Sequence, residues 1–223
     1  MTLEIKNISK NYKNKQVLID ASLSAENGCC IGILGSNGAG KSTLLSILAG
    51  IQKPDGGSVS YKSIDLINDG ESRSRIIGYV PQGTPLIGEL SAWDNLLLWY
   101  DRRSLKNELE NGVLKILGIN EFLKVPVCKM SGGMKKRLSI GCAVSRHPPV
   151  LLLDEPTAAL DLACKKEIFQ YLTAYKNAGG ILILTTHDTA ELSICDFCFI
   201  LKDGKLTPYT FDGDVNALID QLL

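Results

Sequence analysis

What this chain lacks narrows its class before any motif is considered. It has no long hydrophobic run: the apolar stretches at residues 150–153 and 181–184 are far too short to span a bilayer. It has no surplus of either charge, because 24 Lys and Arg balance 24 Asp and Glu in 223 residues. A formally neutral chain has no bulk electrostatic pull toward nucleic acid or anionic lipid, and charge does not oppose its association with a partner surface. The first six residues, Met1-Thr2-Leu3-Glu4-Ile5-Lys6, lack the apolar centre of a secretory signal. Internal repeats, linkers and low-complexity tracts are missing too, and histidine occurs only twice. The expectation is one soluble, cytosolic unit with ample core and no nucleic-acid partner.

Cysteine is present but unpaired by pattern. Seven residues is an odd number, and most of them sit in apolar segments where a thiol behaves as a small buried hydrophobe. Cys195-Asp196-Phe197-Cys198 has redox or zinc spacing, yet no second pair or nearby histidine completes a site, so these read as structural thiols.

What the chain does have is centred on Gly35-Ser36-Asn37-Gly38-Ala39-Gly40-Lys41-Ser42-Thr43. The apolar run Cys30-Ile31-Gly32-Ile33-Leu34 before it reads as a buried strand, and residues 43–49 after it as a short helix. That context turns a string match into a phosphate site. Gly35, Gly38 and Gly40 let successive N–H groups turn toward an anion, and the new helix adds its positive end. Lys41 can reach β- and γ-phosphates, and the Ser42 hydroxyl can ligate Mg²⁺.

Residues 1–27 alternate apolar and polar side chains, which predicts an antiparallel sheet with a turn over residues 11–14. Tyr12, placed in that turn, reads equally as an adenine-stacking ring or a surface tyrosine. Residues 76–80 predict a strand ended by Pro81, with Gln82 directly after it at the sheet edge. From about residue 83 to 146 strand signals vanish and helical spacing takes over, as in Trp93, Leu96, Leu97 and Tyr100. That stretch ends in Met130-Ser131-Gly132-Gly133-Met134, where Ser131 is a plausible cap for a helix running to about Arg146. Its glycines expose N–H groups, which read as a second anion site or as a simple cap. Val150-Leu151-Leu152-Leu153-Asp154-Glu155 is a buried strand ending in two carboxylates, where an open α/β sheet places ligand chemistry. Asp154 suits Mg²⁺ coordination and Glu155 can activate water. A helix over residues 162–178, a strand over 181–184 and His187 beyond it complete the order.

With these pieces in this order, the sequence resembles the ATP-binding subunit of ATP-binding cassette (ABC) transporters over nearly its whole length. The resemblance implies a P-loop NTPase core with a mainly parallel sheet, an N-terminal antiparallel β subdomain and a helical insertion. It divides a single domain into core segments 1–82 and 147–223 and a helical signature subdomain, 83–146. It places adenine stacking on Tyr12, the glutamine loop and a Mg²⁺ contact on Gln82, and Mg²⁺ on Asp154 through water. Glu155 becomes the water-polarising acid, Asp161 the dimer-loop aspartate and His187 the switch histidine. Ser131, Gly132 and Gly133 would close in trans over ATP held by another copy, either the same chain or a second ABC ATPase. The implied partner is an integral membrane permease, with this subunit cytoplasmic and peripheral on the inner face of the cell membrane. The usual Leu-Ser-Gly-Gly-Gln signature here has Met130 and Met134 at its ends. Ser-Gly-Gly-Met followed by basic residues, with the stretch at residues 89–96, is similar to the drug, polysaccharide and lipid exporter branch. The alternative is a soluble ATPase of the same family without a permease, such as one serving iron–sulfur cluster assembly.

Overall fold

The structure is a computed structural model and describes residues 2–13, 15–186, 188–211 and 213–222. The alternating N-terminal segment folds as a hairpin of β1 (Thr2–Tyr12) and β2 (Lys15–Glu26). The chain then makes β3 (Cys30–Leu34) and α1 (Lys41–Leu48), and returns as β4 (Gly56–Tyr61) and β5 (Ile64–Asp65). β4 pairs with the free side of β1, giving an antiparallel sheet in the order β2-β1-β4-β5. This sheet is therefore completed by residues that follow the phosphate loop.

α2 (Gly70–Ile76) leads into β6 (Ile77–Val80). Four helices follow: α3 (Ala92–Leu96), α4 (Arg102–Glu110), α5 (Val113–Ile116) and α6 (Gly132–Ala143). The chain continues through β7 (Val150–Asp154), α7 (Leu162–Asn177), β8 (Ile181–Thr185) and α8 (Thr189–Leu192). It ends in β9 (Phe197–Lys202), β10 (Lys205–Tyr209) and α9 (Val215–Leu222). The second sheet runs β10-β9-β3-β8-β7-β6, parallel throughout except for the β10 edge.

The central strands are unbroken apolar runs because both of their faces are covered. Period-two alternation sends Leu151, Leu153, Leu182 and Leu184 into a core shared with the helices that follow β6. Ile31, Ile33, Val150, Leu152, Ile181 and Ile183 point the other way, into the core beneath α1 and the antiparallel sheet. Each such side chain contributes about 1.5–3 kcal/mol on burial. The fold is that of a P-loop NTPase with an antiparallel β subdomain and a helical insertion.

Two local expectations are corrected. Tyr12 is the last residue of β1, paired with Lys15, and the turn begins only at Lys13, which takes φ 51°. The helix expected to reach Arg146 stops at Ala143. The Tyr100 hydroxyl donates to the Gly141 carbonyl at 2.7 Å, and the Ser145 N–H turns instead to the Cys142 carbonyl at 3.3 Å. The helix thus ends in a tighter i→i−3 turn, with the Gly141 carbonyl satisfied by the buried tyrosine instead of by the backbone.

Candidate nucleotide site

The phosphate loop leaves the C-terminal end of β3 and enters α1 at Gly40, which takes φ 109°. A Cβ there would sit 2.9 Å from Val17 Cγ1 and 3.0 Å from the Val17 carbonyl, so both conformation and space demand glycine. Ser36, Asn37, Gly38 and Ser42 are exposed, whereas Lys41 is buried, and Ala39 and Thr43 are partly covered. The Lys41 ammonium donates to the Gly35 carbonyl at 2.6 Å and to the Ser36 carbonyl at 3.2 Å, which holds it under the loop. Burial pushes its pKa down, and the nearby Glu155 and Asp154 carboxylates act against that shift.

Those carboxylates stand at the end of β7. Asp154 is buried and accepts from the Thr185 hydroxyl at 2.6 Å. The Thr185 oxygen in turn accepts from the Glu155 N–H at 3.1 Å. Glu155 takes φ 48°, a left-handed conformation that costs a non-glycine residue on the order of 1–2 kcal/mol. Its Oε2 accepts from the Gln82 side-chain amide at 2.9 Å. Lys41, Gln82, Asp154 and Glu155 thus converge at the C-terminal edge of the parallel sheet, contributed by three separate strand ends.

Ser131 caps α6, its hydroxyl accepting from the Met134 N–H at 3.2 Å. Gly132 and Gly133 open that helix, and a Cβ on Gly133 would overlap the Cys164 sulfur in α7. Among the described residues no hydrogen bond or ion pair joins Ser131, Gly132 or Gly133 to residues 35–43. Asp161 caps α7, accepting from the Cys164 N–H at 2.9 Å, and this holds its carboxyl below the usual range. Tyr12 is 42% exposed, with its hydroxyl on Gln52 and the Lys10 ammonium 5.8 Å from its ring centre. His187 lies outside the described residues; beside it, Asp188 pairs with Lys165 of α7.

Two supports of the site, Thr185 and Lys136, were not legible in the sequence, nor was the burial of Arg137 beside Lys136 on α6. Thr185 ties the Asp154 carboxylate to the Glu155 backbone N–H. Lys136, only 5% exposed, donates from α6 to the Pro81 and Gln82 carbonyls at 3.1 and 3.3 Å, with burial lowering its pKa. Arg137 donates to the Leu117 carbonyl and to Glu167, and lies 5.1 Å from the Phe122 ring centre. The only signal for the last two was the run of basic residues after Met134, which carries no indication of what they face. The cysteines are free thiols, with the sulfurs of Cys30 and Cys195 3.8 Å apart.

The oxygen donors available here are the Ser42 hydroxyl, the Asp154 carboxylate and the Gln82 amide. Among the described residues no group of three or more His, Cys, Asp or Glu could hold a metal ion. Such a donor set fits Mg²⁺, which is bound by one or two carboxylates together with substrate phosphates and water. No described helix is long and apolar enough to cross a membrane.

A phosphate loop facing a strand that ends in paired carboxylates, with helices inserted between β6 and β7, defines a P-loop nucleoside triphosphatase. Residues 18–158 match the ABC transporter family model. The chain is 34% identical over 99% of its length to the Nod factor export ATP-binding protein I of Sinorhizobium fredii, and spans 65% of that relative. It is 32% identical over 92% of its length to a probable sulfate/thiosulfate import ATP-binding protein of Chlorella vulgaris, of which it spans 89%. The same identity and coverage relate it to the linearmycin resistance ATP-binding protein LnrL of Bacillus subtilis, of which it spans 67%. A solved ATP-binding subunit of an ABC transporter superposes with TM-score 0.86 at 27% identity, covering all of this chain and 99% of that one. A dimeric ATP-binding cassette in a post-hydrolysis state, bound to ADP and Pi, superposes with TM-score 0.84 at 30% identity over 95% of this chain and 100% of that one. The chain belongs to the ABC transporter family, and its nucleotide site is that of an ATP-hydrolysing cassette.

Proposed function

We propose that this cassette energises transport through a separate membrane permease, as one half of an ATP-closed, head-to-tail dimer. The observation that carries this is the division of the site. Lys41, Gln82, Asp154 and Glu155 converge in one place, while the Ser131 cap of α6 makes no described contact with the phosphate loop of its own chain. A two-fold dimer would bring each Ser131-Gly132-Gly133 turn over the other copy's loop and create two equivalent sites. The dimeric cassette among the solved neighbours supports this arrangement. Whether the second copy is the same chain or another ABC ATPase, the contact surface required of this chain is the same.

In this reading residues 35–43 hold the phosphates with backbone N–H groups, and Lys41 leaves its carbonyl partners for the β- and γ-phosphates. Tyr12 stacks on adenine. Glu155, turned toward the site by its left-handed backbone, polarises the attacking water, and Gln82 holds that carboxylate. Ser42, Gln82 and Asp154 would hold Mg²⁺, which supplies charge neutralisation for the phosphate oxygens when bound. Asp161 sits on the dimer face, and His187 takes the γ-phosphate.

The permease would bind on the helical side. Leu98 and Trp99 are each 60% exposed, and Trp99, Tyr79 and Arg146 help to line an open cavity of about 460 Å³. Tyr79 lies in β6, the strand that leads to Gln82, so an occupant there would feel the state of the nucleotide site. The Ser131–Met134 sequence and its similarity to the exporter branch favour export, and the named export relative supports it. The subunit would then sit on the cytoplasmic face of the membrane.

The test is a mild-detergent pull-down of the tagged protein from its own cells. A multi-span membrane protein at near-stoichiometric yield is expected. Only soluble partners, with the protein absent from membranes, would overturn the transporter reading in favour of a permease-free ATPase.

A further inference from the structure

One buried carboxyl next to the site has no task in the mechanism above. Glu191, in α8, is 1% exposed. Its Oε1 accepts from the Thr157 N–H at 3.0 Å and also from the Thr157 hydroxyl. Its Oε2 is sealed from solvent and has no hydrogen-bond partner among the described residues. The neighbouring Thr186 hydroxyl donates instead to the Asp188 carbonyl at 3.3 Å.

Thr157 is fully buried and lies two residues beyond Glu155, in a turn where Glu155 and Ala159 both take left-handed backbone, at φ 48° and 58°. A second tie runs beside the first: Lys165 of α7 pairs with Asp188, the residue that caps α8. Two contacts therefore fasten the segment after β7, which carries Glu155 and Asp161, to the segment after β8. Between them lies a cavity of about 370 Å³ lined in part by Glu155, Lys165, Thr186 and Glu191. Sealing a carboxyl oxygen away from water without a partner is costly, and an apolar side chain would fill the same space at lower cost. The geometry gives the group another use, because Thr157 presents two donors in one direction and a carboxyl oxygen can accept both.

We propose that Glu191 is a positioning residue for ATP hydrolysis. It holds Thr157, and through it the strained turn of residues 155–159, against α8, so that the Glu155 carboxylate stays aimed at the site. The inference rests on the reading of Glu155 as the water-polarising group. Its consequence is specific. Neither Glu191 nor Thr157 has a described hydrogen bond to residues 35–43, so losing the clamp should slow the chemical step and leave ATP binding alone.

The experiment compares full-length Glu191→Ala, Glu191→Gln, Thr157→Val and Thr157→Ser with wild type and with Glu155→Gln as reference. It measures kcat and KM for ATP hydrolysis, Kd for a fluorescent ATP analogue, and thermal midpoints. Glu191→Ala and Thr157→Val should lower kcat at least tenfold with KM and Kd within twofold of wild type. Glu191→Gln, which keeps an acceptor for both Thr157 donors, and Thr157→Ser, which keeps the hydroxyl, should each retain at least a third of kcat. The Glu191→Ala/Thr157→Val double variant should be no slower than the worse single variant. Thr157→Val removes one hydroxyl at constant shape and carries the test if Glu191→Ala does not fold. Wild-type kcat in Thr157→Val, or KM and Kd rising in step with the loss of kcat, overturns the inference. So does a Glu191→Gln variant as impaired as Glu191→Ala. An inactive Glu155→Gln beside a wild-type Thr157→Val defeats the clamp alone, whereas an active Glu155→Gln defeats the reading of Glu155 on which it rests.

Discussion

The Gln82 side-chain amide donates to Glu155 Oε2 across 2.9 Å, joining the residue after β6 to the residue after β7. The backbone of Gln82 is held from another direction by Lys136 of α6, so the signature helix reaches the acidic strand end through a single glutamine. Replacing Glu155 with Gln removes the acceptor charge and the proposed base but leaves the shape. Steady-state ATP hydrolysis should fall by at least about a hundredfold, in line with the usual contribution of a positioned general base. ATP-bound dimers should persist and be visible by size exclusion. Gln82→Ala should lose less turnover than Glu155→Gln, because it frees the carboxylate without removing it.

Tyr12 tests adenine stacking independently of the phosphates. Its hydroxyl already has a partner in Gln52, and its ring is partly exposed. Tyr12→Phe should therefore bind ATP as wild type does. Tyr12→Ala should weaken binding by about 1–3 kcal/mol, the range for one aromatic–base stack, so that Kd rises about 5- to 150-fold. Fluorescence titration with an ATP analogue reads both variants.

The signature turn packs on α7 through an absence of side chain. Because a Cβ at Gly133 would overlap the Cys164 sulfur, Gly133→Ala must displace the turn or the helix. Overpacking of this kind costs about 1–3 kcal/mol, and ATP-dependent dimerisation should be lost with it. Adding Cys164→Ala removes the sulfur and should restore part of both, giving a non-additive double variant in thermal melts.

Burial raises the carboxyl pKa of Glu191 above its ordinary value. A group whose folded pKa is raised stabilises the fold fully below its unfolded pKa, and that contribution disappears as pH climbs through the folded value. The neutral Glu191→Gln variant should then melt above wild type at pH 8, and the gap should close as pH is lowered toward 4. Differential scanning calorimetry across that range checks the sign.

Much of this protein was legible in its sequence, because the decisive signals are local. The phosphate loop needs contiguous residues with glycine at a fixed place, and Gly40 at φ 109° meets that need. The apolar runs at residues 30–34, 150–153 and 181–184 declare strands covered on both faces. Ser131 declares a helix start, since a short polar side chain can satisfy an unpaired N–H two or three residues on, and the structure shows Asp161 and Asp188 capping α7 and α8 in the same way. Chain order also carried the resemblance to ABC cassettes. What only the tertiary structure decided is which distant groups face each other. Lys136 and Arg137 are only part of a basic run in the sequence, yet α6 turns them inward, onto carbonyls of residues 81, 82 and 117. Glu191 and Thr157 are 34 residues apart. Thr185 meets Asp154 because β7 and β8 pair in parallel with Asp154 opposite Thr185. Such contacts are set by strand register and helix rotation, which depend on the packing of the whole core and leave no period or spacing in the chain that makes them.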